Sequence, residues 1–516
     1  MTRQLDLADI QGNILEDFVR NFPIARFVLL QVGDPKAGRQ FILDYMPKVT
    51  TALRWGKSDD YVGEILATRP QVAINLGLTY EGFRKLELPT RTLARMPPEF
   101  MDGMKERAEI LGDDVGRNVS TNWDGAWKDR PHILIGLNAL MDGATGKPVP
   151  ELETETTALR QLCAKHGLRI LEGHGGGQSW QDAGAILIQN EATYKPVPQE
   201  HFGFVDGISN PVFEGQFGDA QVEQIMAVGN GKILETGEWA SLATGEFLLG
   251  HPDEAQETAG TTMPPEIMRN GTFLVYRKLH ENVASFDAYI DKMAQSYAAI
   301  MHVPLDDARN ILKAKMAGRW PDGVPLSVAP TIADWKAFNA QPAGVGPNGV
   351  SRLVDFKYGD DPEGIKCPVT AHSRRTNTRD GLVAGAKSSA LNNRRRILRR
   401  GIPYGASSGP EDRGDDKEHG IIFLAMCSSL TRQFEFVQQQ WLNYGLDANA
   451  GNDTCPLVGN RNGDAKFLVP ADPQTDQAPF ICSDIPQFVE VRGGDYFFLP
   501  SMTALRMIGM GIVDPT

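Results

Sequence analysis

Short runs dense in Val, Ile and Leu recur along the chain, each closed off by Gly, Pro or Asp. ARFVLLQV at 25–32, VAINLGL at 72–78, HILIGLNAL at 132–140 and GAILIQ at 184–189 are of this kind. Their length and boundaries predict buried strands. Polar stretches compatible with helix lie between them, such as TALRQLCAKHG at 157–167. The second half repeats the style. GTFLVYRKL at 271–279 predicts a strand, and Val283, Phe286, Ile290, Met293, Tyr297 and Ile300 then recur every three or four residues, as on an amphipathic helix. IIFLAMC at 421–427 predicts another strand. It runs into SSLTRQFEFVQQQWLN, where Leu430, Phe434, Val437 and Trp441 share one helical face and Ser428 or Ser429 can cap the start. DYFFLPS at 495–501 predicts a late strand.

Strands and helices thus mix in both halves without a strict βαβ rhythm. The expected fold class is α+β, in two similar sheet-and-helix units. The stretches 341–365 and 449–480 are rich in Gly, Pro, Asn and Asp and read as long loops, a frequent place for function.

Composition narrows the function classes. With 516 residues, 41% of them hydrophobic and 23% charged, the chain is globular and long enough to bury a core around a cofactor. Its 52 basic and 65 acidic residues leave a net charge of −13, which argues against a general nucleic-acid binder. No run of 18 apolar residues occurs, so no membrane span is expected. The five cysteines are scattered and form no C-x-x-C pair, which argues against structural zinc and a disulfide framework. With no signal-peptide pattern at the start, a reducing, cytoplasmic location is expected.

Candidate chemistry begins with EHFGFVDGISNP at 200–211, where Asp206 has a glycine beside it and aromatic residues before it. Asp-Gly is a common turn dipeptide. A carboxylate near apolar rings can also have its pKa raised and act as an acid–base group. The nine histidines show no paired zinc spacing. His372 stands out by context, in CPVTAHSRRTNTRD at 367–380, followed by NNRRRILRRGIPYG at 392–405. Eight arginines fall within the 27 residues 374–400 of an acidic chain. A solvated basic face is one reading. The other is an anion site, since arginine binds carboxylates bidentately and a haem carries two propionates, with neutral imidazole as a standard axial ligand. GHGGGQ at 173–178 lacks the lysine and hydroxyl residue of a phosphate loop, and no G-x-S-x-G elbow occurs.

In order along the chain, DIQGNIL (9–15), GFVDG (203–207), NGTFLVYRKL (270–279), CPVTAHSRRTNTR (367–379), ILRRGIPYG (397–405), FEFVQQQWLN (434–443) and YFFLPS (496–501) resemble segments of the dye-decolorising peroxidase family. The length and RRGIPYG resemble its longer fungal and bacterial subclasses. The resemblance implies two ferredoxin-like units, divided here as residues 1–200 and 201–516, with haem held mainly by the second. It implies one haem b per chain and His372 as the axial iron ligand. Asp206 would be the distal acid–base group, and Arg399 the distal electrostatic group. Arg374, Arg375 and Leu424 are further expected cofactor contacts.

The implied activity is reduction of hydrogen peroxide and oxidation of dyes, phenols or other aromatic donors through a ferryl intermediate. A haem-binding or haem-delivery protein is the alternative, and a cargo or scaffold protein a third reading. A homodimer is compatible with the chain. Trp441 and Tyr404 are candidates for a surface electron-transfer residue, with core packing the stronger expectation for both. His201 and His132 are expected to be structural. The family also places a carboxylate against the proximal imidazole, and no residue of the sequence identifies itself in that role.

Overall fold

The computed structural model describes residues 5–56, 67–190, 193–258, 264–341, 350–382, 385, 387–406, 410–448, 450–460, 465–472, 474 and 476–511. Parts of the expected long loops and the tail at 512–516 lie outside the described residues.

The N-terminal half supplies strand β1 (Ile24–Gln31), helix α1 (Pro35–Tyr45), β2 (Val72–Leu78), β3 (Ile133–Ala139), helix α2 (Glu151–His166) and the short β4 (Arg169–Ile170). The C-terminal half supplies β5 (Thr272–Glu281), α3 (Val283–Met301), α4 (Leu305–Ala317), α5 (His372–Thr376), β6 (Leu398–Arg399), β7 (Gly420–Cys427) and β8 (Val489–Leu499). All pair antiparallel in a single ten-stranded sheet whose main path runs β6-β7-β5-β8-β2-β3-β1-β4. Numbered within its own half, each set of four strands reads 2-3-1-4. That is the ferredoxin-like order, so the α+β expectation holds, and the two units share one sheet.

The joint between the halves is narrow, a single register pair between Phe498 of β8 and Leu78 of β2. Gln11 reinforces it. Its fully buried carboxamide donates to the Leu76 and Pro500 carbonyls at 2.8 and 2.9 Å and accepts the Leu76 N–H at 3.0 Å. Each buried bond of this kind stabilises by about 1 kcal/mol, and losing one costs more than that.

β1, β2 and β3 are buried on both faces, which is why they read as continuous apolar runs instead of alternating. GAILIQ departs from its expectation. Gln181–Gly184 pairs with β1, but Ile186–Asn190 leaves the sheet to form a largely exposed hairpin with Thr193–Val197. On α3 the spacing buries Val283, Phe286, Ile290 and Met293, while Ile300 near the last turn is exposed. The expected helix after β7 forms with a wider winding. Leu430–Glu435 and Val437–Leu442 are π-helical, and Ser429 caps the start by accepting the Arg432 N–H at 3.3 Å. Among the described residues no helix is long and apolar enough to cross a membrane.

Candidate active site

One face of the C-terminal half of the sheet walls a cavity of about 300 Å³. Side chains of a strand alternate between faces, and the wall follows that period. Arg277, Leu279 and Glu281 of β5, Ile421 and Phe423 of β7, and Val489 and Val491 of β8 all line it. The π-helical segment adds Phe434, Val437 and Leu442, and α5 adds His372 from its first residue. The loop at 200–209 closes another side with Glu200, Phe202, Phe204, Asp206 and Ile208.

That loop is the EHFGFVDGISNP motif, and its conformation follows from its residues. Glu200 folds it by accepting the N–H groups of Phe202 and Phe204 at 2.8 and 2.7 Å. Phe202 anchors it against Phe286 of α3, with ring centroids 4.4 Å apart. Gly203 and Gly207 take φ values of 92° and 75°, a region glycine enters without strain. The Asp206 N–H donates to Pro198 O at 2.8 Å. The turn and the chemical reading of this motif are therefore the same structure: the glycines make the turn that presents the carboxylate.

Asp206 accepts a 2.8 Å hydrogen bond from Nη1 of Arg399. Arg399 lies on β6, its backbone N–H donates to the Asn210 side chain at 3.1 Å, and its Nη2 donates to Ile208 O at 2.7 Å. Both charged groups lie deep in the molecule yet face the cavity, with 42% and 32% of their side chains accessible from it. Burial alone would raise the Asp206 carboxyl. The Arg399 guanidinium, the Gly207 N–H and the His372 imidazole more than reverse this, and the group sits below the usual aspartate value. The elevated pKa suggested by the aromatic neighbours is thus corrected: ion pairing outweighs desolvation, and Asp206 rests ionised.

Two further carboxyls, missed in the sequence, line the same wall. Glu200 and Glu281 are buried and hydrogen-bonded to each other, so one of them carries a proton, and burial pushes both upward. Glu281 also accepts the His201 N–H at 3.3 Å.

His372, Asp206 and Arg399 are brought to one cavity; Arg374, Arg375 and Leu424 are not. Arg374 is buried against Asp361 at 3.0 Å and the Cys367 and Asp361 carbonyls. Arg375 donates to the carbonyls of Thr370, Trp441, Tyr444 and Asp453. The basic run is therefore partly internal scaffolding. Leu424 fails by register: it stands opposite Tyr276 in the β5–β7 ladder, while Phe423 stands opposite Arg277, so Leu424 packs in the main core and Phe423 faces the cavity. Trp441 and Tyr404 are buried, at 4% and 2% accessibility, as core packing requires. His132 and His201 are held by backbone, His132 Nδ1 accepting the Val32 N–H and His201 Nε2 lying 2.8 Å from Tyr404 O.

The cationic side of the cavity is Arg319, Arg379 and Arg396. They hydrogen-bond to carbonyls and to Ser209, and among the described residues none has a carboxylate ion-pair partner. Burial, aided by the neighbouring guanidiniums, pulls Arg319 and Arg379 down to about 10 and Arg396 to about 9. Such a cluster is destabilising by itself and is relieved by an anion. An imidazole at the wall, apolar faces from Phe204, Phe423, Phe434 and Leu442, and uncompensated guanidiniums together fit a haem, whose iron takes a neutral imidazole and whose propionates take cations. Arg319 sits outside the arginine-rich run, and no sequence signal marked it.

The imidazole is oriented by sulfur. Nδ1 of His372 lies 3.3 Å from Sγ of Cys455.

Known proteins carry the same architecture. Residues 9–160 match the family model described as the DyP dimeric alpha+beta barrel domain. Peroxidase 2 of Mycetinis scorodonius is 27% identical over 525 residues, covering 97% of this chain and 87% of that one. The multifunctional dye peroxidase DyP2 of Amycolatopsis sp. is also 27% identical, covering 97% and 96%. A solved dye-decolorizing peroxidase in complex with 2,6-dimethoxyphenol superposes with a TM-score of 0.74 at 24% identity over 98% of this chain and 100% of that one. The fungal DyP-type peroxidase of Auricularia auricula-judae gives 0.70 at 23% over 99% and 100%. With the fold shared end to end and the sequence likeness running through both halves, the chain is similar throughout to dye-decolorising peroxidases of the longer fungal and bacterial form.

Proposed function

We propose that this protein is a haem peroxidase that reduces hydrogen peroxide and takes the electrons from dyes, phenols or similar aromatic donors. The observation that carries the reading is the ionised Asp206–Arg399 pair facing the same cavity as His372. A haem-delivery protein needs the histidine but has no use for a carboxylate and a fixed cation aimed into the site.

In this reading His372 would hold the iron, and Arg319, Arg379 and Arg396 would be the cations available to the propionates. Haem, when bound, would supply the redox equivalents for reducing peroxide. The chain supplies the protons and the field. Asp206, ionised at rest, accepts the proton from one peroxide oxygen and returns it to the other. Positioned acid–base catalysis of this kind contributes roughly 10²–10⁴-fold. Arg399 cannot readily deprotonate, so its charge stays fixed while negative charge develops on peroxide. The bond to Ile208 O keeps the guanidinium in place, so little reorganisation accompanies the step.

The test is stopped-flow absorption of haem-loaded protein mixed with one equivalent of hydrogen peroxide, beside Asp206→Asn. Rapid loss of the resting Soret band, slowed in the variant, is expected. Equal rates would remove Asp206 from the proton transfer. A haem that stays ferric in both would replace the peroxidase reading with the haem-binding one.

A further inference from the structure

We propose that Cys455 is the positioning residue of the haem-ligating imidazole: its sulfur, in place of a carboxylate, holds Nδ1 of His372 and so sets how strongly Nε2 donates to iron. The proposal rests on the ligation of haem by His372 given above.

The Sγ–Nδ1 distance is 3.3 Å, and the cysteine is fully buried. The two residues lie on elements that are held to each other independently of this contact. The Cys455 N–H donates to Leu442 O at 2.7 Å, and its carbonyl accepts the Gly459 N–H at 3.0 Å. The loop turns tightly there, since a Cβ on Gly459 would come within 2.7 Å of the Cys455 nitrogen. Arg375, three residues beyond His372, ties the same loop down through Asp453 O at 2.7 Å and the π-helical segment through Trp441 O at 2.8 Å. The contact of Nδ1 is the sulfur, and the neighbouring Asp453 carboxylate lies 4.0 Å from Nζ of Lys466. Sulfur is thus delivered to Nδ1 by a braced frame.

Partners of a ligating histidine fix its tautomer and ring orientation and tune its basicity. A carboxylate is a strong, charge-bearing acceptor for the Nδ1 proton, whereas sulfur is a weak one. With sulfur there, the imidazole is a weaker donor than the same ring against a carboxylate, and the ferric state is less favoured. The sulfur therefore raises the reduction potential relative to a carboxylate variant, with no change to the ligand itself.

The experiment compares haem-loaded wild type with Cys455→Asp, Cys455→Ser and Cys455→Ala. It reads the ferric–ferrous potential by spectroelectrochemistry and the iron–histidine stretching band of the ferrous protein by resonance Raman. Cys455→Asp should lower the potential by about 59 mV for each tenfold gain in ferric over ferrous stability, and raise the stretching frequency. Cys455→Ala should loosen haem by roughly 10–100-fold, the usual cost of deleting such a partner. Cys455→Ser, near in volume, decides the matter should the aspartate variant fail to fold: a shifted band supports the proposal. Wild-type potential, band and haem affinity in the folded variants would overturn it and leave Cys455 as packing. Absence of any iron–histidine band in the wild type would overturn the ligation by His372 instead.

Discussion

Replacing Arg399 by leucine removes the fixed cation while keeping much of the side chain's bulk. Its guanidinium is held by Asp206 at 2.8 Å and by Ile208 O at 2.7 Å, so it acts from a set position. A unit charge about 4 Å from a developing anion is worth about 4 kcal/mol at an effective dielectric near 20. The side chain is 32% accessible from the cavity, so water there reduces the effect. Loss of one preorganised stabilising group typically costs about 10²–10³ in rate, and that is the expected fall in the second-order rate constant with hydrogen peroxide. A second effect follows from the same pair. Without Arg399 the burial of Asp206 is opposed only by the Gly207 N–H and His372, so its carboxyl moves upward. The base form is then lost on acidification sooner, and the acid limb of the pH–rate profile moves to higher pH. Arg399→Lys keeps the charge but not the two-pronged geometry and should recover part of the rate. Stopped-flow kinetics across the acid range measure both effects. A leucine variant that reacts at the wild-type rate with an unmoved acid limb would refute the assignment of Arg399.

Three further outcomes are expected. Asp361→Ala strands the buried guanidinium of Arg374, and loss of one partner from such a pair costs about 3–5 kcal/mol; urea unfolding should show it, and an unchanged midpoint would return Arg374 to the candidates for cofactor binding. Leu424→Ala should cost about 2–5 kcal/mol of stability as a core truncation and leave the haem spectrum alone, whereas Phe423→Ala should alter the spectrum; the reverse pattern would contradict the register of β7. Glu200 and Glu281 hold their proton more tightly folded than unfolded, so the folded state binds more protons above the ordinary glutamate range and stability falls as pH rises through it. Glu200→Gln should flatten that fall in unfolding midpoints, and parallel slopes would show that the pair shares no proton.

The elements themselves were largely legible in the sequence. β1, β2, β3, β5 and β7 sit within a residue or two of their predicted runs, because short stretches dense in Val, Ile, Leu and aromatic residues and bounded by turn formers favour strands. Asp206 and His372 stood out by their residue context, and Arg399 was singled out from the arginine run by the resemblance of ILRRGIPYG to a family segment; the structure brings all three to one cavity. What lay beyond the sequence is what depends on the third dimension. The pairing of β8 with β2, which turns two similar units into one sheet, joins residues more than 400 positions apart. The register of β7 gave the cavity to Phe423 and not Leu424, a choice that one residue of slip reverses. Of the eight clustered arginines, tertiary contacts assign Arg374 and Arg375 to scaffolding and Arg379, Arg396 and Arg399 to the cavity, and they add Arg319 from a distant loop. Charge type was written in the chain. Which charges meet a carbonyl, a carboxylate or the cavity was decided by packing, because the sign of a pKa shift depends on partners that sequence spacing does not reveal. Cys455 shows this most plainly: a cysteine that nothing in the sequence sets apart becomes, by folding, the neighbour of His372 at 3.3 Å.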